Sequence, residues 1–155
     1  MYNKCIDLLK SRNIDLMDIA QCVYLLQESY FDDLSIDYCL EIVKDVIEKR
    51  EVQHAIITGL NLDIMADENM IKDPDLDKLL KTDESLYGID EVLAYGICNL
   101  YGSIALTNFG YIDKVKPGII GDLNNSKVIC NTFADDIVGA IAASAASKIA
   151  HTKRR

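Results

Sequence analysis

TFADDIVGAIAASAASKIA, residues 132–150, decides the fold. From Phe133 to Ala150 nearly every position is apolar or small, so a helix made of it has no polar face to offer to water. Gly139, Ala140, Ala142, Ala143, Ala145 and Ala146 let neighbouring backbones come close. Such a helix belongs in the centre of a helical core. Working back along the chain, Val92 through Ile112 carries no charged residue over a length able to cross a bilayer. Asn99, Ser103, Thr107, Asn108, three glycines and three tyrosines dilute it, which predicts a second core helix and not a span.

The rest of the chain repeats leucine-type residues at three and four spacing, and no segment alternates with period two. The class expected is all-α, a single domain over residues 1–155 with two central apolar helices. The spacing predicts helices over Tyr2 to Lys10 and Leu16 to Tyr30, the second capped by Asn13 or Asp15. Ser35 opens another over Ile36 to Lys49, and Val52 to Ala66 follows. Asp67 to Ser85 reads as a surface connection with Pro74 starting one short helix. Gly110 to Asn131 is rich in turn residues.

A formal net charge of −9 repels phosphate backbones, so no nucleic-acid partner is expected. Five cysteines without a CxxC pair indicate neither a disulfide framework nor a zinc knuckle. The N-terminal MYNKCIDLLKSR lacks the apolar run of a secretory signal, so a cytoplasmic location is expected. Two apolar helices in so small a chain further predict a symmetric homodimer that covers them.

Acids stand at the ends of the apolar helices: Asp90 and Glu91 at one start, Asp113 past its end, Asp135 and Asp136 at the other start. Carboxylates brought together by packed helices supply the oxygen donors that Mg2+ prefers. Each acid also has a competing structural role. Asp90 and Glu91 can complement a helix dipole, and Asp135, three residues after Thr132, fits a capping-box variant. Adjacent acids point about 100° apart on a helix, so one can cap while its neighbour turns inward. Lys116-Pro117-Gly118 can open a short helix whose N–H groups and ammonium cradle a phosphate, or be an ordinary turn. Arg50, His54, Thr58 and Asn61 form a polar stripe on the helix opposite Val52, Ile56 and Leu60; it is a solvated face, or His54 looks into a site.

IDEVLAYGICNLYGSIALTNFGYIDKVKPGII (89–120), NTFADDIVGAIAASAASKIAH (131–151) and KREVQHAIITGLNLDIMAD (49–67) together resemble the phosphatidylglycerophosphatase A family, in its soluble Gram-positive branch. The resemblance implies a Mg2+-dependent phosphomonoesterase that removes the terminal phosphate of phosphatidylglycerophosphate in phospholipid synthesis. Asp90 and Glu91 stand where the family has its DE pair, Asp113 and Lys116 where it has D-x-x-K-P, and Asp135 and Asp136 where it has DDIV. Asp90, Glu91, Asp113, Asp135 and Asp136 would then hold metal. Asp135, Asp136, Lys116 and His54 would serve catalysis, the metal polarising a phosphoryl oxygen and Lys116 neutralising phosphate charge. The glycine-rich PGT-type motif and the several spans of the membrane-bound members are absent. Peripheral contact with the inner face of a membrane would fall to the basic tail His151 to Arg155, which can equally complement a helix C-terminus. Two other classes stay open. A nucleotide pyrophosphatase-like helical enzyme could use the acidic row Glu41, Asp45 and Glu48. A noncatalytic regulatory module could use residues 14–26 and 34–43 as a helix-turn-helix, although they hold almost no Lys or Arg.

Overall fold

The structure, a computed structural model, describes residues 1–153. Nine helices and no strand occur among them: α1 Tyr2–Ser11, α2 Leu16–Gln27, α3 Ile36–Glu48, α4 Arg50–Asp67, α5 Pro74–Thr82, α6 Ile89–Asn99, α7 Ser103–Val115, α8 Ile119–Asn125 and α9 Ala134–Lys153, with one 3-10 turn at Glu28–Tyr30. The all-α class read from the sequence holds.

Capping residues account for several starts. Asp15 accepts from Met17 N, Ser35 from Tyr38 N, and Asp73 from Asp75 N and Leu76 N ahead of Pro74 at the first turn. α3 and α4 are separate because Lys49 is extended between them, and Gln53 Nε2 donates to the freed carbonyls of Ile47 and Glu48, both at 3.0 Å.

α9 is the axis of the molecule. Every residue from Asn131 to Ala150 except Lys148 is buried, and α7, α6, α2, α3, α8 and α4 pack round it. This follows from its small side chains: Gly139 lies under the Phe109 ring, where an added Cβ would stand 3.4 Å from Cε2. α2 and α3, the pair considered as a helix-turn-helix, turn Ile19, Val23, Val43 and Val46 into this core. Glu41, Asp45 and Glu48 are exposed on α3, where Asp45 pairs with Lys148 at 2.8 Å.

The apolar run 92–112 is not one helix. It breaks at residues 100–102, where Gly102 takes φ 86° and ψ −166°, a conformation essentially reserved for glycine. Ser147 Oγ on α9 donates to the Tyr101 carbonyl at 2.9 Å, satisfying a group that the break releases from the helix ladder. α6 and α7 therefore flank α9 as a bent pair. No described helix is long and apolar enough to cross a membrane. Of the basic tail, Arg154 and Arg155 lie outside the described residues.

Candidate metal centre

α6 and α9 begin side by side, and this brings their acids together. The Gly88 φ of 66° starts α6, so Asp90 and Glu91 fall in its first turn. Tyr87 meets Phe133 edge to face at 6.1 Å between ring centroids. From the other side α4 closes in at Gly59, where a Cβ would lie 3.0 Å from Phe133 Cβ and 2.3 Å from Ile137 Cδ1. Oxygens of Asp90, Glu91 and Asp136 then gather within 4.8 Å of one another. Asp90 and Asp136 are buried, and Asp90 Oδ1 accepts from Glu91 N at 3.0 Å.

These carboxyls are uneasy as anions. Burial pushes Asp136 up to about 9, with Asp135 and Asp90 adding repulsion. Burial, with Glu91 beside it, pushes Asp90 up to about 7. None of the three forms an ion pair with a cation among the described residues. Three oxygen donors without a protein counter-ion suit a hard divalent cation.

A second group adjoins them. Lys116 Nζ donates to Asp113 Oδ1 at 2.8 Å and to Asp135 Oδ2 at 2.9 Å. Burial alone would lower the Lys116 pKa, but Asp135 and Asp113 outweigh it and hold the ammonium firmly charged. The same lysine restrains Asp135, which burial raises to about 6. Lys116 reaches this place as the left-handed C-cap of α7, with φ 50°, not as the start of a phosphate-cradling helix. α8 begins only at Ile119, because Gly118 takes φ 52° and ψ −129°, outside the helical region. Asp135 likewise is no capping-box partner. Thr132 Oγ1 turns away to donate to the Leu80 carbonyl at 2.6 Å.

The cap of α9 comes from Asp63 on α4, with four helices between them in sequence. Its carboxylate accepts from Phe133 N at 3.1 Å and Ala134 N at 2.9 Å, while burial pushes it up to about 7. Arg12 and Asp67 brace the approach to this cap. They pair at 2.7 Å, Asp67 Oδ1 accepts from Cys130 N at 2.7 Å, and Arg12 donates to the Cys130 carbonyl. The sequence reading passed over all three. The available signal was Asp63 itself, a lone charge on the apolar stripe of Val52, Ile56 and Leu60, where a buried carboxylate needs partners.

The acids read from the sequence thus divide. Asp90, Glu91 and Asp136 make the cluster; Asp113 and Asp135 hold Lys116 at its edge. His54 is exposed one face along α4, in a groove lined by Glu51, Thr58, Leu93 and Gly96, which none of these acids lines.

A family model described as phosphatidylglycerophosphatase A matches residues 17–151. The chain belongs to that family. Among relatives of this phosphatidylglycerophosphatase A family chain, the uncharacterized protein YutG of Bacillus subtilis is 52% identical over 147 residues, 94% of this chain and 88% of YutG. The crystal structure of the low temperature requirement C protein from Listeria monocytogenes superposes with TM-score 0.95 at 48% identity, covering 99% of this chain and 97% of that one. A protein of unknown function from Bacillus stearothermophilus gives 0.94 at 50% identity, covering 98% and 94%.

Proposed function

We propose that this member of the phosphatidylglycerophosphatase A family is a Mg2+-dependent phosphomonoesterase, with phosphatidylglycerophosphate as the lipid substrate suggested by the family. The observation that carries this reading is the gathering of Asp90, Glu91 and Asp136 within 4.8 Å beside a charged Lys116. Asp90, Glu91 and Asp136 would hold the cation. When bound, it supplies Lewis-acid polarisation of a phosphoryl oxygen.

The chain's own residues do the remaining work. An ammonium has three N–H donors, and Asp113 and Asp135 occupy two of those on Lys116. The third is free to donate to a phosphoryl oxygen, held in place by the other two, so little freedom is lost on binding. Water adds to phosphorus, the P–O bond to the alcohol breaks, and the alcohol oxygen takes up a proton, leaving alcohol and inorganic phosphate. Asp135 serves this reaction by positioning Lys116. His54 lies in a separate groove and is proposed to have no part in the chemistry.

Phosphate release from para-nitrophenyl phosphate and from micellar phosphatidylglycerophosphate, measured as Mg2+ is titrated, tests the proposal. Turnover that rises with Mg2+ and disappears in Asp136→Asn is expected. Metal-independent turnover, or turnover that survives the substitution, overturns it.

A further inference from the structure

A cavity of about 200 Å3 lies where the ends of α2 and α9 meet the first half of α7, lined by Gln27, Tyr30, Phe31, Ile104, Asn108 and Ala150. It is remote from the acid cluster: Asp136 and Ala150 share α9 but stand about 21 Å apart along it. α2 ends at Gln27, and the 3-10 turn that follows carries Tyr30 and then the extended Phe31. Ile104 and Asn108, four residues apart on α7, share one face of that helix.

Two atoms at this cavity lack partners. Gln27 is only 3% exposed; its Nε2 donates to the Leu26 carbonyl at 3.0 Å, but its Oε1 accepts from nothing. Asn108 Nδ2 is likewise buried and finds no acceptor. One group offers what the other lacks, yet they do not bond to each other. Buried polar atoms are costly unless paired, so a single guest that donates to Gln27 and accepts from Asn108 satisfies both.

Size, charge and walls define that guest. None of the lining residues is charged, and Glu28 and Asp32 are exposed on the adjoining loop, an arrangement that turns an anion away. The volume falls below the roughly 300–1,000 Å3 of pockets that bury drug-sized ligands, which leaves room for a small ring system. Tyr30 and Phe31 supply aromatic surface, Ile104 and Ala150 aliphatic surface. A nucleobase is flat, uncharged and carries a donor beside an acceptor on one edge. Proteins that hold a base outside a duplex read that edge by hydrogen bonds and enclose its faces with aromatic or apolar side chains.

We infer that this cavity is a binding site for a nucleobase, free or as its nucleoside, with Gln27 and Asn108 reading its hydrogen-bonding edge. The site is separate from the metal centre and stands whether or not the chain hydrolyses phosphomonoesters.

Nuclear magnetic resonance of the 15N-labelled full chain tests it, with uracil and adenine as probes and benzene as a flat ring without donor or acceptor. At least one base should shift the side-chain amide signals of Gln27 and Asn108 together and saturably. Asn108→Leu should weaken that base by about tenfold, the scale of one hydrogen bond, and leave benzene as it was or bound more tightly. Gln27→Met should do the same. Asn108 is only half-buried, so its variant decides the matter if Gln27→Met does not fold. Amide signals that neither base moves would mean that the gap holds water alone, and the inference fails. It fails equally if Asn108→Leu leaves base binding unchanged, or weakens base and benzene alike through lost packing.

Discussion

Asp135 and Asp136 are neighbours with different work, and side-chain direction is what separates them. Asp136 turns to Asp90 and Glu91, while Asp135 reaches Lys116. Asp136→Asn keeps the shape and removes a charge from the cluster, so Mg2+-dependent phosphate release should fall to background with the fold retained by circular dichroism. In Asp135→Asn, Lys116 keeps Asp113, and the expected loss is about 10–100-fold, the range for residues that orient a site from behind. Equal losses in the two variants would contradict this division. Asp63 belongs to stability. Asp63→Ala strips the cap from α9 and leaves the buried N–H groups of Phe133 and Ala134 unpaired, a cost of about 1–3 kcal/mol, to be read from the urea midpoint. The acids that gather, Asp90, Glu91 and Asp136, were legible in the sequence as candidates, from their positions at helix starts and from the family resemblance. The allotment of the acids was not, since Thr132 and Asp135 satisfy the capping-box pattern and only the contact of α4 with α9 shows that Asp63 has taken the cap.

At the scale of elements, the centre exists because three helices approach closely. α4 contributes Gly59, and a methyl there meets Phe133 Cβ at 3.0 Å as well as the more yielding Ile137 Cδ1 at 2.3 Å. Gly59→Ala should therefore push α4 from the start of α9 and destabilise by about 1–3 kcal/mol. Because Ile137 follows Asp136, metal affinity should weaken too; calorimetric titration with Mn2+ checks it, and an unchanged affinity would show that the helices absorb the methyl elsewhere. The central place of α9 was readable from residues 132–150, whose small side chains leave no face for solvent. The break between α6 and α7 was not. Gly102 resembles any other glycine in an apolar run until Tyr101 is seen bonded to Ser147 across the packing interface, a tertiary contact with no local signal.

Over the whole molecule, the buried carboxyls tie stability to pH and, on the proposed function, to the metal as well. Asp63 and Asp90 are pushed up to about 7, Asp135 to about 6 and Asp136 to about 9, all by burial first, against an ordinary 3.8. Each holds its proton more tightly in the folded chain than in the unfolded one. Between about pH 4 and these raised values the folded state binds more protons, so stability is fully present below pH 4 and is lost as pH rises. The net charge of −9 adds self-repulsion in the same direction. In EDTA, the Tm at pH 8 should consequently lie below that at pH 5. A cation that binds only the folded state adds RT ln(1 + [L]/Kd), about 2.7 kcal/mol at a hundredfold excess over Kd. It competes with protons for Asp90 and Asp136. Mg2+ should therefore raise the Tm more at pH 8 than at pH 5. In Asp136→Asn the fall between pH 5 and pH 8 should be shallower, because the most strongly raised carboxyl is gone, and the Mg2+ shift should be largely lost. A Tm that climbs from pH 5 to pH 8 in EDTA would mean that these carboxyls are ionised and well compensated without metal. An undiminished Mg2+ shift in Asp136→Asn would place the cation elsewhere.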